Sequence, residues 1–395
     1  MNVTGKYIYG IIPCRNLSRT DSRDSGQVNS TGEGLLGSCL PADSSPEALA
    51  KEEASARAGE ITACEEVYIP TKIFGVWVYT IPYQDISAVV SDSEIVDYTR
   101  MLKDAVGRQL VTHQKVIEGI MPEYTIIPMR LGTFASDENE VRDILNKGYR
   151  VIKDTFGKIK DKIEIDVVAT WSDFNSVLKE VGEEKEIKEF KERLLANPKG
   201  ITVDDQMNVG VMVKKALDEK REKSALEIQT YLRDCCEVFK IHELMDNKMV
   251  INAAFLINNA RQKDFDRKVE ELNTKFAEKL NFRCVGPLPP YSFYTLERKK
   301  MQFKDLDWAR KKLRLLNDFA TKNEIKKAHQ TLAFSSHPDK NPDTPGIEKE
   351  FDEITKAYNI LGDYCEAYKQ TGQGDSCFFN EEEFKKNAIL VRPVR

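Results

Sequence analysis

Lys162-Ile163-Glu164-Ile165-Asp166-Val167-Val168-Ala169 (KIEIDVVA, 162–169) alternates apolar and polar side chains. Residues 163, 165, 167 and 169 share one face of an extended chain, so the spacing predicts a strand with one side in the core. Just upstream, Val141, Ile144, Leu145, Ile152, Phe156 and Ile159 recur at the helical interval and predict an amphipathic helix. Before that, 124–129 predicts a strand, and Leu102, Val106, Leu110, His113, Ile117 and Ile120 predict a core-facing helical stripe that Pro122 closes. The continuous apolar run 73–81 (IFGVWVYTI) predicts one strand buried on both faces, and 6–12 (KYIYGII) another strand. Downstream, 179–193 predicts an exposed charged helix, Asn197-Pro198-Lys199-Gly200 a break, and 209–240 a long helix. A strand at 248–257, a helical stripe through Phe265, Val269, Leu272, Phe276 and Leu280, and short strands at 282–285 and 292–296 complete the pattern. Two blocks thus mix strands with helices that cover a sheet face, an α+β arrangement.

The chain has 395 residues, enough for two or three domains. A net charge of −5 argues against a general nucleic-acid binder, which needs a basic surface. No apolar run is long enough for a membrane span, and Met1 is followed by no apolar leader, so the expectation is a cytoplasmic protein. Eight cysteines and four histidines are scattered without a C-x-x-C pair, so neither a metal nor a cofactor is expected. Asp339, Asn341, Asp343 and Glu350 fit a calcium loop, but Thr344 stands where its sharp turn needs glycine. Gly32-Glu33-Gly34-Leu35-Leu36-Gly37 fits a dinucleotide fingerprint but sits in a Ser- and Gly-rich insert, 14–66, that lacks the required strand and helix. There is no nucleophile elbow, P-loop or H-E-x-x-H, so no catalytic residue is assigned and no enzyme is expected. His113 and His242 each stand alone in a helical pattern and read as structural histidines.

After about residue 298 the pattern turns wholly helical. Leu313, Leu316 and Phe319 suit a first helix, and Ile325, Ala328, Leu332 and Ala333 a second that carries Lys322, Lys326 and Lys327 on its other face. His337-Pro338-Asp339-Lys340-Asn341-Pro342-Asp343 then leads into a third stripe through Phe351, Ile354, Ala357, Tyr358 and Leu361. This arrangement resembles a J-domain. The resemblance implies that His337, Pro338 and Asp339 engage a DnaK-type chaperone, and that Lys326 and Lys327 meet an acidic surface on it. Pro338 fixes one backbone angle beside the two polar residues, and the lysines steer encounter more than they add affinity. Phe334-Ser335-Ser336 departs from the basic and aromatic residues common in that family, which suggests weaker or more selective coupling.

Two motifs in the first 300 residues are strand ends followed by Gly- or Pro-constrained turns: Ile126-Ile127-Pro128-Met129-Arg130-Leu131-Gly132-Thr133-Phe134 and Val285-Gly286-Pro287-Leu288-Pro289-Pro290-Tyr291-Ser292-Phe293. Either they only lock chain direction or they also form a contact surface, with Arg130, Gly132, Thr133, Gly286, Pro287, Pro289, Pro290 and Tyr291 as candidate partner-binding residues. Together with KYIYGII, the segment 85–91 and His113, they resemble, in order as well as in motif, the gas vesicle synthesis protein family F/L. Leu288, Leu131 and Gln114 depart from that family's frequent Trp, Phe and Glu.

The two resemblances imply two ferredoxin-like α+β domains followed by an all-α J-domain hairpin. The expected division is 1–172 for the first domain (with the insert 14–66), 173–298 for the second, a linker at 299–307, the J-domain at 308–372 and a tail at 373–395. They imply a non-enzymatic assembly accessory protein at the gas vesicle or in the cytoplasm. It would bind vesicle structural or accessory proteins and recruit a DnaK-type chaperone, with no nucleic-acid or membrane partner. A minor structural component of the vesicle and a general J-protein co-chaperone are the alternatives.

Overall fold

The computed structural model describes residues 4–14, 71–197, 200–372 and 374–394. Most of the insert 14–66, including a short helix expected within 45–62 and the glycine pattern at 32–37, lies outside the described residues.

The first unit is an antiparallel sheet between two helices. Its central strand β1 (Thr4–Pro13) pairs with β4 (Ile86–Glu94) on one side and with the short β5 (Ile127–Pro128) and β6 (Phe134–Ala135) on the other. A hairpin, β2 (Thr71–Ile73) and β3 (Val76–Tyr83), extends the sheet beyond β4. Helix α1 (Lys103–Ile120) covers one face through Val116 and Ile117, against Tyr7, Tyr9 and Val89. Helix α2 (Glu138–Ile159) covers the other with Val141, Ile144, Leu145, Ile152 and Ile159, against Ile8, Ile11 and Val90. Its apolar positions recur at the helical interval, and Asp137 caps its N-terminus by accepting the Glu140 N–H at 2.9 Å.

Two expectations are corrected here. The run 73–81 is not one doubly buried strand: it folds back at Phe74-Gly75, both at positive φ, and leaves Phe74 and Trp77 more than 60% exposed. The stripe on α1 is core-facing only in its second half, because Leu102 is the exposed N-cap residue and Leu110 faces outward.

The second unit begins at β7 (Lys162–Trp171), directly after α2. With β8 (Val238–Ile241), β9 (Met249–Asn258) and β10 (Leu280–Leu288) it forms an antiparallel sheet in the order β10-β7-β9-β8. Helices α3 (Phe174–Gly182), α4 (Lys185–Leu195) and α5 (Val203–Arg233) link β7 to β8, and α6 (Gln262–Lys275) links β9 to β10. This is the split βαββαβ order of a ferredoxin-like unit. Ile163, Ile165, Val167 and Ala169 point to the helical layer as their alternation demands, and Glu164 and Asp166 take the opposite face. The boundary expected at 172 is therefore corrected to about 161: strand periodicity gives a strand's faces but not its neighbours.

The third unit contains α7 (Phe303–Lys312), β12 (Phe319–Thr321), α8 (Lys322–Ser335), α9 (Ile347–Gln370), β13 (Ser376–Phe378) and α10 (Glu381–Asn387). Its core joins Leu306, Ala309, Leu313, Ile325, Ile354, Leu361, Tyr364 and Phe384. The helix expected through Leu313, Leu316 and Phe319 lies earlier, at α7; Leu316 is 91% exposed and Phe319 is in a strand.

The expected linker 299–307 and tail 373–395 are both corrected. Strand β11 (Leu296–Lys300) pairs antiparallel with the C-terminal β14 (Ile389–Pro393), and α7 starts within three residues of it. Leu296, Ile389 and Val391 join the core of the first unit under α2. A Cβ at Gly148 of α2 would stand 2.8 Å from Val391, so glycine allows this close approach. Ion pairs close the junction: Arg392 contacts Glu297 at 2.9 Å and Asp363 of α9 at 2.5 Å, and Lys299 also meets Asp363. Arg298 and Lys300 meet Glu140 of α2 at 2.5 and 2.7 Å. Burial alone would raise the Glu140 carboxyl, but Lys300, Ser136 and Arg298 outweigh it and hold it at about 2. The charged run at 297–300, whose last two residues open the expected linker, is thus a paired strand.

Candidate functional site

The first candidate surface is the loop between α8 and α9. The capping box of Thr321 and Glu324 starts α8, and buried Ile325 seats it on the core. That orientation leaves Lys326 and Lys327 exposed. His329 stacks on Tyr358 with ring centroids 4.3 Å apart, tying α8 to α9. Beyond α8 the chain makes a short 3-10 turn, Pro338–Lys340. His337 is half-buried edge-on against Phe351, and its Nδ1 accepts the Asp339 N–H at 3.2 Å. Asn341 Nδ2 donates to the Ser335 and His337 carbonyls at 2.9 and 3.0 Å, which fixes the turn to the end of α8. The Asp339 side chain is 87% exposed. The lysines are thus exposed along the first half of α8 and the carboxylate in the turn beyond its C-terminal end.

The second candidate is a cavity of about 280 Å³ where the two turn motifs meet. Arg130 and Leu131 line it from the first motif, and Tyr291, Ser292 and Phe293 from the second. His113 and Gln114 of α1, Lys240 of β8 and Val394 complete the wall. His113 is buried between the Tyr7 hydroxyl (2.8 Å from Nδ1) and the Met129 carbonyl (3.0 Å from Nε2). Burial holds its pKa down at about 4, so the ring is neutral, Nε2–H donates to Met129 and Nδ1 accepts from Tyr7. It is a structural histidine at the cavity wall.

Ser292 anchors the second motif to the opposite sheet. Its N–H and hydroxyl donate to the two carboxylate oxygens of Glu164 at 2.8 and 2.7 Å. His242 Nε2 lies 3.1 Å from the same hydroxyl, and Lys240 Nζ donates to the Ser292 carbonyl at 3.2 Å. Glu164 is 1% exposed. Burial pushes its carboxyl up to about 7; the Ser292 bonds oppose this and the neighbouring Asp166 adds to it. The native state therefore holds a proton there that the unfolded chain releases nearer 4.5. Its contribution to stability is full below the unfolded value and is lost as pH rises through about 7. Glu164→Gln is expected to flatten that part of the dependence of melting temperature on pH; an unchanged slope would place the titration elsewhere.

The other candidate residues divide. Arg130 Nη1 donates to Glu297 at 2.6 Å and projects at the cavity rim. Gly132 (φ 81°) and Thr133 lie behind it, where a Cβ on Gly132 would meet the Tyr98 ring at 2.7 Å and Thr133 Oγ1 donates to the Arg130 carbonyl. Gly286 and Pro287 are exposed on a bulge of β10. Pro289 and Pro290 are buried and line a separate cleft with Ile159 and Lys162 between the two units. Of the eight, Arg130 and Tyr291 share the cavity, Gly132 and Thr133 shape the turn behind Arg130, and the other four lie outside it. Glu164 and Lys240 were not singled out from sequence. Two carboxylates on the polar side of a predicted strand, at 164 and 166, were the available signal.

A family model for the gas vesicle synthesis protein GvpL/GvpF matches residues 5–295, and a DnaJ domain model matches residues 312–367. The chain is 22% identical to gas vesicle protein F of Dolichospermum flosaquae over 244 residues, which cover 58% of this chain and 99% of that protein. It is 39% identical to the DnaJ homolog subfamily C member 5B of Sus scrofa over 74 residues, 19% of this chain and 37% of that protein. In fold it is similar to the crystal structure of the gas vesicle protein GvpF from Anabaena sp. PCC7120, with a TM-score of 0.51 and 20% identity over 73% of this chain and 97% of the other.

Proposed function

Because the chain belongs to the gas vesicle synthesis protein GvpL/GvpF family and carries a DnaJ domain, we propose that it is a gas vesicle assembly factor that binds vesicle proteins through its first two units and recruits a DnaK-type chaperone through the third. The observation that carries this is the presence of both modules on one chain, with the His337-Pro338-Asp339 turn open at one end and the cavity of the two turn motifs at the other body. An unassembled vesicle subunit that exposes apolar surface is prone to aggregate. A binder that delivers it to a chaperone shortens the search by holding both at high local concentration. The mounting of the third unit on α2 and β11, rather than on a free tether, supports a fixed geometry of delivery. Binding needs no covalent chemistry, and the buried network at Ser292 serves to hold the two motif turns against the second sheet.

Co-expression with the gas vesicle structural protein from the same gene neighbourhood tests the cargo half. A truncation after residue 300 is unsuitable, because it removes β14 from the core of the first unit. The comparison is the full chain, its Asp339→Asn variant and an Arg130→Glu, Tyr291→Ala variant. The first two are expected to keep the structural protein soluble and co-eluting, and the third to lose it. Equal solubility without any of them would remove the cargo role, and stoichiometric retention on washed vesicles would favour a structural component.

A further inference from the structure

Helix α5 has two apolar faces. One packs inward through Met212, Val213, Ala216 and Leu217 onto the second sheet. The other, Val203, Met207 and Val211, is 65–72% exposed at each position. These three residues stand at i, i+4 and i+8, one continuous ridge on the helix surface. No residue of α5 before Leu217 is buried, so this half of the helix runs along the outside of the molecule.

The charges along the ridge are arranged end to end. Asp204 lies at its beginning and Lys214 at its end, and among the described residues neither forms an ion pair. Two such helices placed antiparallel with the two-fold axis at residue 209 would set Met207 of one copy against Val211 of the other. The same register sets Asp204 against Lys214 at both ends. The surface is self-complementary in charge at 204 and 214 and apolar at 207 and 211, with Val203 set against the stem of Lys215, as a two-fold interface permits. Gly210, beside the ridge, lets the backbones approach.

We propose that the exposed face of α5 is a homodimer interface, in which a second copy of this chain pairs antiparallel over 203–215. About thirteen helical residues span ~20 Å, and such a contact falls below the ~1,200 Å² of a standard interface. The dimer is therefore weak and in rapid exchange. Its existence does not depend on the assembly role; it would present two cargo cavities and two chaperone-recruiting turns in one particle.

Sedimentation equilibrium of the full chain across a wide concentration range tests this. Reversible dimerisation is expected, with Met207→Glu weakening it by roughly tenfold or more. Asp204→Lys and Lys214→Asp should each weaken it, and the two together should restore it. Position 207 is exposed, so the melting temperature of Met207→Glu should match the parent and separate loss of contact from misfolding. A chain that stays monomeric throughout overturns the proposal, as does a dimer indifferent to Met207→Glu. A charge swap that fails to restore association overturns the antiparallel register.

Discussion

Asp339→Asn is expected to reduce stimulation of a DnaK-type chaperone's ATPase to the unstimulated rate while leaving the chain's melting temperature unchanged. The carboxylate is largely in solvent, 3.7 Å from His337 Nδ1, and the turn is held by other bonds: Asn341 to the Ser335 and His337 carbonyls, and Asp339's own N–H to His337. Asparagine preserves size and backbone and removes only the charge. A group that exposed contributes little to folding, because exposed ion pairs are worth ~1 kcal/mol or less. Its chemistry is therefore available for a partner. Reversing Lys326 or Lys327 to Glu should instead slow association and make the rate less sensitive to salt, since exposed charges act mainly on encounter. Single-turnover ATP hydrolysis separates the two effects. Stimulation by Asp339→Asn equal to the parent's would move the contact away from this turn.

Val391→Asp is expected to have the largest structural effect of any single change at the junction between the first and third units. Val391 is fully buried, against Gly148 of α2, and its cross-strand partner Arg298 is already paired with Glu140, so a carboxylate there would gain no cation of its own. Burying an unpaired charge is costly enough that the strand should leave its seat instead. Hydrogen exchange should then rise across 296–300 and 389–393 and at the end of α9, and the melting transition should split. The third unit keeps its own core of Leu306, Ile354, Leu361 and Tyr364, so ATPase stimulation should survive. Arg392→Met is a milder version. Lys299 still pairs with Asp363, and Arg130 still pairs with Glu297. The loss should therefore fall below the ~3–5 kcal/mol of a broken buried pair. Unchanged exchange in Val391→Asp would mean that β14 does not mount the third unit.

Much of this architecture was legible in the sequence where the information is local. The alternation at 162–169 gave the faces of β7 correctly, and the spacing from Val141 to Ile159 gave α2 and its buried stripe. The His337-Pro338-Asp339 turn was legible because its residues are contiguous. What was missed depends on partners far away in the chain. The assignment of β7 to the second sheet is set by β9 and β10, whose paired residues lie 79 or more positions on. Residues 299–300 read as the start of a linker because the run 297–300 is wholly charged; its basic residues find their acidic partners at 140 and 363, and Glu297 pairs with Arg392 of β14. The turn at Phe74-Gly75 was hidden inside an apolar run because Phe74 adopts a left-handed conformation that its type rarely takes. The cavity joins Arg130 to Tyr291 through α1 and β8, a convergence that no single segment records.

The most direct test immobilises the DnaK-type chaperone of the same cell with ATP and measures how much gas vesicle structural protein it captures. Four conditions are compared: no added chain, the full chain, Asp339→Asn and Val391→Asp. The account predicts capture with the full chain, none above background with Asp339→Asn, and reduced capture with Val391→Asp despite intact ATPase stimulation. Capture that is the same without the chain, or the same with Asp339→Asn, would contradict it.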